Sequence, residues 1–393
     1  MNDTKYDLSQ KDAVLLYFKE KGYAFEPFTI EDISSGNMNY VYRAKDLKKG
    51  KTYILKYAAE HTRISEEIPV SIERINIEAR VLMIYSKTVP QYVPRVYQYD
   101  DLNQCILMED YSDYGILRDK LNQYKIIPDF AENLTTYLVK SIISTLNIGE
   151  VSAAKGNRLQ NIDNPLCETT KTYVFSEPFI RTGNFNNIFE PSKEFIDYEV
   201  YQDIELLDQV ERLKKLFIDK KQALIHGDLH TGSIFVKQSS LIVFDYEFAF
   251  VGPIGFDIGN LLANLIFSWL HARAIEQKEE FMHWVEATIR NIIDGFKKNF
   301  AEELSARFPA IAQCSLEYIT AYTNEIIHDT AAFAGVELLR RVIGIAHVSD
   351  IISIDNSDKR AEAERIAISL AKKLIKNHEQ FDSGEDFVKE MLL

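Results

Sequence analysis

The sequence is poor in cysteine, in tryptophan and in positive charge. Its three cysteines, Cys105, Cys167 and Cys314, show no paired metal-ligand spacing, and so few, in odd number, make no disulfide framework. They read as core or incidental thiols in a reducing compartment. No apolar run is long enough to cross a bilayer, and the stretch from Met1 to Asp7 lacks the apolar segment of a secretion signal. A cytoplasmic location and no membrane partner are expected. The 45 Lys and Arg against 59 Asp and Glu leave a formal net charge of −14, which argues against a nucleic-acid or anionic-membrane partner. Internal repeats and low-complexity tracts are also missing. With 46% hydrophobic and 26% charged residues, the 393-residue chain is of ordinary globular composition and long enough for two lobes with a sizeable core.

The most informative stretch is His226-Gly227-Asp228-Leu229-His230, followed by Thr231-Gly232-Ser233 and the apolar strand Leu241-Ile242-Val243-Phe244, which ends in Asp245-Tyr246-Glu247. Phosphoryl transfer from ATP needs a carboxylate to take the hydroxyl proton and further carboxylates to hold Mg²⁺ against the phosphates. Asp228 is positioned for the first task, and Asp245 with Glu247 for the second. Protein kinases place a metal-binding Asn five residues after the catalytic Asp. Here that position is Ser233, a weaker magnesium ligand and a further metal candidate. In extended chain, residues two apart share a side, so Asp245 and Glu247 are expected to face one ion together. A lone His-x-Asp is as readily an Asx turn. The downstream Asp-x-Glu after an apolar strand favours the catalytic reading.

Upstream, Ile33 to Tyr42 has the small polar residues of a tight hairpin, with Gly36, Asn37 and Asn39 as candidates to approach phosphates. A single glycine makes this a weak signal, since an unliganded β-turn looks the same. Thr52 to Tyr57 is β-rich and places Lys56 among apolar neighbours, where a lysine needs a partner. The triphosphate and Glu78, on the amphipathic stretch Ile72 to Ser86, are the candidates. A strand pair, Val96 to Tyr99 and Cys105 to Met108, runs into Glu109-Asp110. That is the pattern of an inter-lobe hinge, where backbone groups at Met108 and Glu109 meet adenine. The acidic side chains there are expected to be solvated or to cap the next helix.

These blocks, with Phe248-Ala249-Phe250-Val251-Gly252-Pro253-Ile254-Gly255-Phe256-Asp257 and Glu337-Leu338-Leu339-Arg340-Arg341, resemble the 5-methylthioribose kinases, within the wider kinase-like group of aminoglycoside and choline phosphotransferases. The resemblance covers nearly the whole chain. It implies that Asp228 is the base, that Asp245 and Glu247 hold Mg²⁺, and that Arg340 and Arg341 bind the sugar or the migrating phosphate. It also implies the anomeric 1-hydroxyl of 5-methylthioribose as acceptor, a homodimer and a place in methionine salvage. In the wider group Asp257 steadies the catalytic loop, a structural role.

Two departures stand out. The family's Asp-Pro-Glu is Asp245-Tyr246-Glu247 here, which keeps both carboxylates but relaxes the backbone between them. Its Ser-Trp-Pro loop is Glu67-Ile68-Pro69, so Ile68 stands where an aromatic wall borders the substrate, and the two tryptophans, Trp269 and Trp284, lie elsewhere. Pocket shape discriminates by only about 1–3 kcal/mol per methylene-sized change, so another 5-modified or 5-deoxy pentose is the nearest rival acceptor. Cationic acceptors of the aminoglycoside or choline type would call for an acidic pocket instead of an arginine pair. A non-catalytic nucleotide-binding scaffold would not need Lys56, Asp228, Asp245 and Glu247 together.

On a helix, Glu337 precedes Arg340 and Arg341 by three and four residues, so a local ion pair accounts for one arginine. Adjacent positions project about 100° apart, and one glutamate is not expected to serve both. The apolar residues around them suggest burial, and a buried guanidinium requires an acceptor such as a phosphate oxygen.

The expected architecture is an α+β, two-lobed protein-kinase-like fold: a small, mainly antiparallel β lobe over 1–110 that binds nucleotide, and a mainly helical catalytic and substrate-binding lobe over 111–393. Helical periodicity runs from Ala131 to Glu150, Tyr201 to Lys221, Ile258 to Phe300, Leu316 to Ser349 and Asp358 to His378. Ala154 to Asn187 is polar enough for a long irregular connection with no legible function. Gly252-Pro253-Ile254-Gly255 signals a turn, with Asp257 capping the helix after it.

Overall fold

β-Branched and aromatic residues build the strands of the first part of the chain, as in Thr52-Tyr53-Ile54-Leu55-Lys56-Tyr57. The computed structural model describes residues 5–23, 27–34, 39–62, 65–147, 162–275, 278–309 and 316–392. Two compact units emerge. One comprises Met1–Tyr114, Asn164–Leu166 and Ile242–Ala249; the other comprises Gly115–Asp163, Cys167–Leu241 and Phe250–Leu393. The Asp245–Glu247 segment thus groups with the smaller unit, although the expected boundary near 110 put it in the larger lobe.

In the smaller unit, helix α1 (Lys11–Lys21) precedes strands β1 (Phe28–Asp32), β2 (Tyr40–Asp46) and β3 (Thr52–Tyr57), the hairpin β4 (His61–Thr62) and β5 (Ser65–Pro69), helix α2 (Glu73–Tyr85), and strands β6 (Val96–Asp100) and β7 (Cys105–Glu109). The five-stranded sheet has the order β1-β2-β3-β7-β6, with every neighbouring pair antiparallel. Side chains alternate between its faces. Leu55, Cys105 and Leu107 pack with Val14, Tyr17 and Phe18 of α1, whereas Ile106 and Met108 meet Ile75 and Ala79 of α2. Each fully buried Leu or Ile contributes about 1.5–3 kcal/mol, so the sheet holds both helices and fixes Glu78 on α2 over Lys56 on β3. Asp110 is not solvated. The turn directly after β7 folds its carboxylate back on the sheet, where it is buried against Arg43 Nε at 3.1 Å and accepts from Ser112 N–H at 2.9 Å.

The larger unit is mostly helical. It contains the short strand β8 (Gly115–Ile116), helices α3 (Leu117–Asn122), α4 (Phe130–Thr145), α5 (Leu166–Phe175, whose first residue groups with the smaller unit) and α6 (Ile204–Asp219), strands β9 (Ala223–Ile225), β10 (Ile234–Lys237), β11 (Ser240–Val243, whose last two residues group with the smaller unit) and β12 (Phe250–Gly252), then helices α7 (Ile254–Ile275), α8 (Glu279–Arg307), α9 (Leu316–Ile343), α10 (Ser357–Lys376) and α11 (Gly384–Leu392). Helix α5 lies within the stretch expected to be irregular. The single periodicity expected from Ile258 to Phe300 is divided between α7 and α8.

Helix α7 is buried from Ile254 through Ala272, so it is the core around which the unit is built. A Cβ on Gly259 would lie 2.7 Å from Ala334 N and 2.7 Å from Thr330 O, closer than side chains pack, and Gly255 meets Asp329 Cβ in the same way. Two glycines on one stripe therefore let α7 and α9 approach backbone to backbone. That contact brings the Asp257 end of α7 and the arginines of α9 into one packed frame. Strand β9 pairs antiparallel with β12, Ile225 opposite Phe250, and β10 pairs with β8, Phe235 opposite Ile116. Between β9 and β10 hangs the loop that carries Asp228.

Candidate active site

Asp257 lies in the first turn of α7, one turn inside the cap expected for it, and serves the catalytic loop. Its carboxylate accepts from His226 N–H at 2.6 Å and Gly227 N–H at 2.9 Å. Gly227 has φ 80°, a left-handed conformation that a side chain would strain. Burial pushes the Asp257 carboxyl up to about 6 against the opposing pull of those donors. The loop then presents Asp228, whose side chain is one-third exposed. Asp228 Oδ2 lies 3.5 Å from His230 Nε2, and Oδ1 lies 3.6 Å from Arg340 Nη2. Burial opposes its ionisation, but His230, Arg340 and Arg341 outweigh it and hold the carboxyl well below the usual carboxylate range. An anionic oxygen is thus available to take a proton. Ser233 Oγ accepts from His230 N–H at 3.0 Å and donates to His230 O at 2.9 Å, closing the turn after the loop.

Glu337 is fully buried and engages both arginines, contrary to the expectation that one glutamate cannot. Its Oε2 takes Arg340 Nε, while Oε1 takes Arg340 Nη2 at 3.2 Å and Arg341 Nε at 2.8 Å. Positions three and four residues on flank the same helical stripe from opposite sides, and a carboxylate has two oxygens with lone pairs for both. Arg341 Nη1 also donates to Ala346 O at 3.2 Å. The ion triad pre-orients the pair without using all of the N–H groups that two guanidinia carry.

In the smaller unit, Lys56 is buried and its Nζ meets Glu78 Oε2 at 2.6 Å and Asp245 Oδ1. Burial works against the ammonium, yet Asp245, Glu78 and Glu247 more than compensate and raise it above the ordinary lysine value. Asp245 and Glu247 do not sit on an extended strand. Asp245 is left-handed (φ 72°, ψ 57°) and Tyr246–Phe248 forms a 3₁₀ turn, so their disposition comes from the turn instead of strand alternation. Tyr246, where the family has proline, is fully buried edge-on against Tyr85 of α2, with ring centroids 5.6 Å apart. It anchors the turn by packing. Glu247 is buried and its Oε2 accepts from Asn39 Nδ2 at 2.8 Å, with Arg74 Nε 3.5 Å away. Burial first, then the charge of Asp245, pushes the Glu247 carboxyl up to about 7. Such oxygen donors suit a hard divalent cation. Among the described residues, no three His, Cys, Asp or Glu side chains form a self-contained metal site.

Met108 packs in the α2-side core, and Glu109 accepts from Tyr111 OH at 3.1 Å. Gly36 and Asn37 lie outside the described residues, as does the side chain of Ile68 on β5. The structure therefore brings together Lys56, Glu78, Asp245, Glu247 and Asn39 in one unit, and Asp228, Arg340 and Arg341 in the other.

Comparison with known proteins places the chain in a family. The model of the phosphotransferase enzyme family matches residues 29–290. A methylthioribose kinase of Bacillus cereus is 36% identical over 376 residues, 94% of this chain and 93% of its own length; those of Bacillus thuringiensis and Bacillus anthracis match to the same extent. The chain belongs to the methylthioribose kinase family. Its two-lobed, protein-kinase-like α+β fold is shared with an ethanolamine kinase of Plasmodium vivax (TM-score 0.50, 13% identity, 94% of this chain and 91% of that one). A choline kinase of Cryptosporidium parvum is similar at TM-score 0.50 and 12% identity, over 95% and 98% of the two chains.

Four supporting residues of this family member escape sequence reasoning. Arg74, fully buried on α2, donates to Asn39 Oδ1 at 3.1 Å, Ser71 O at 2.6 Å and Ala59 O at 3.0 Å, tying Asn39 to the chain after β3 and before α2. Asn164 Nδ2 donates to Glu247 O at 2.8 Å and Ala249 O at 3.0 Å, which clamps the metal turn's backbone. Arg118 of α3 donates to Thr231 Oγ1 at 3.3 Å and to Asn264 Oδ1 at 3.0 Å. Asn264 in turn donates to Glu337 Oε1 at 3.4 Å. Only Asn264 left a trace: Asp257, Asn260, Asn264, Ser268 and His271 recur at helical spacing in an otherwise apolar helix.

Proposed function

We propose that the chain is an ATP-dependent kinase that phosphorylates the 1-hydroxyl of 5-methylthioribose, in methionine salvage. The reading rests foremost on Asp228, a carboxylate held ionised between His230 and a buried arginine pair at the end of a braced loop. The relatives named methylthioribose kinase support the choice of sugar. Asp228 aligns the acceptor hydroxyl and takes its proton as the oxygen attacks the γ-phosphorus. Lys56, oriented by Glu78, binds the α- and β-phosphates, with Gly36, Asn37 and Asn39 covering them and the backbone at Met108 and Glu109 meeting adenine. Asp245 and Glu247 would hold Mg²⁺, with Ser233 a weaker candidate ligand, and the ion would supply neutralisation of the triphosphate charge. Arg340 and Arg341 offer guanidinium N–H groups to the sugar and to the migrating phosphoryl oxygens.

A second acceptor, another 5-modified pentose, is favoured by Ile68 in place of the family's aromatic wall. A panel of ribose analogues assayed for ADP release separates the two, and no preference for the methylthio sugar would remove the first choice. Asp228→Asn should lower turnover by about 10²–10⁴-fold while leaving ATP affinity nearly intact. We also propose a cytoplasmic homodimer. Among the described residues no helix is long and apolar enough to cross a membrane, and sedimentation of the purified protein measures the assembly.

A further inference from the structure

His230 is within the catalytic loop but has no assigned part in the chemistry. Its Nδ1 receives the backbone N–H of Gly232 at 2.8 Å and lies 3.3 Å from Nη2 of Arg118. Both groups are obligate donors, because a peptide N–H and a guanidinium have no acceptor to offer. Nδ1 therefore carries no proton, and the ring's one proton sits on Nε2. That nitrogen is the atom 3.5 Å from Asp228 Oδ2. Hydrogen bonds to a catalytic group commonly tighten when substrate binds.

We propose that His230 is the positioning residue of Asp228, held by Gly232 and Arg118 as the Nε2–H tautomer so that it donates to Oδ2. The proposal rests on Asp228 being the base. One oxygen is then engaged by His230, and Oδ1, on the Arg340 side, is the oxygen presented to the acceptor hydroxyl. The carboxylate loses its freedom to rotate, which is where a misaligned base loses rate. Arg118 acts through the ring: it stands against Nδ1 and is itself tethered to Asn264, so the α7 frame that supports Glu337 also sets the tautomer.

Two substitutions separate this role from that of a turn cap. The amide nitrogen of Gln reaches the place of Nε2, whereas the amide oxygen of Asn reaches that of Nδ1. His230→Gln keeps the donor toward Asp228 and should retain kcat within about fivefold; His230→Asn keeps the acceptor for Gly232 and should lose kcat by about 10–100-fold, with KM for sugar and ATP changed less than about threefold. The reverse ranking, or equal turnover in both, overturns the proposal. Nitrogen-15 chemical shifts of the unmodified enzyme give an independent readout: protonated Nε2 with bare Nδ1 is required, and the opposite tautomer overturns it even if a variant fails to fold. Asp228→Asn is run alongside. Its loss of turnover together with a wild-type His230→Asn sinks only the His230 role, whereas full turnover of Asp228→Asn sinks the base assignment and this inference with it.

Discussion

Asn39 donates through Nδ2 to Glu247 Oε2 at 2.8 Å across 208 positions of sequence, while its own Oδ1 receives Nε of the buried Arg74. The residue before β2 and the Asp245–Glu247 turn are thus one hydrogen-bonded unit, and the amide engages Oε2 of Glu247. Asn39→Ala removes the orienting bond and leaves both carboxylates. The Mg²⁺ concentration giving half-maximal turnover should rise by about 10–100-fold. Turnover at saturating Mg²⁺ should change far less. A magnesium titration of ADP release checks this, and an unchanged midpoint would detach Asn39 from the metal.

With Glu247 as the proposed metal ligand, cation binding should depend on pH. Its carboxyl is pushed up to about 7 by burial and then by Asp245, and a proton must leave before a cation can bind. The half-saturating Mg²⁺ concentration should climb by up to about tenfold for each pH unit below 7. Stability of the metal-free protein follows from the sign of the shift. The folded value lies above the ordinary 4.5, so the protonated form favours the fold, and this contribution fades as pH rises through about 7. Added Mg²⁺ should reverse the loss at alkaline pH. Melting temperature against pH, with and without the cation, measures both effects.

Glu337→Gln tests the shared counter-ion of the arginine pair. Removing one partner of a buried ion pair costs about 3–5 kcal/mol, because the other charges stay buried without full compensation. Urea unfolding should show a loss of at least about 3 kcal/mol. A neutral result would mean that the guanidinia find their acceptors elsewhere.

Gly259→Ala tests the close approach of α7 and α9. The new methyl would sit 2.7 Å from Ala334 N and Thr330 O, and backbone cannot swing aside as a side chain can. Overpacking of this kind costs about 1–3 kcal/mol. Since α7 carries Asp257 and α9 carries the arginines, kcat should fall with stability. Unfolding midpoints and turnover of this one variant read both.

The candidate chemistry-bearing residues stand out because each lies in a short ordered pattern: the His-x-Asp loop, the Asp-x-Glu after an apolar strand, the lysine in a β-rich segment. The helices α2, α6 and α10 follow from periodicity to within about three residues. What was not legible is the support. Arg74, Arg118 and Asn164 work through single hydrogen bonds to residues distant in sequence, and no local spacing announces such a bond. Helix α5 was lost because Leu166 to Phe175 mixes threonines and charges that mask its buried face. Asp110 and Glu337 differ from expectation for separate local reasons: a turn folds the first carboxylate back on the sheet, and two oxygens let the second serve both arginines.

Around the catalytic loop, the guanidinia of Arg118, Arg340 and Arg341 act on the carboxylates of Asp228, Glu337 and Asp350, three positive groups with three negative. The formal charges of these six groups cancel. A balance of this kind suits an uncharged sugar better than a polycationic aminoglycoside.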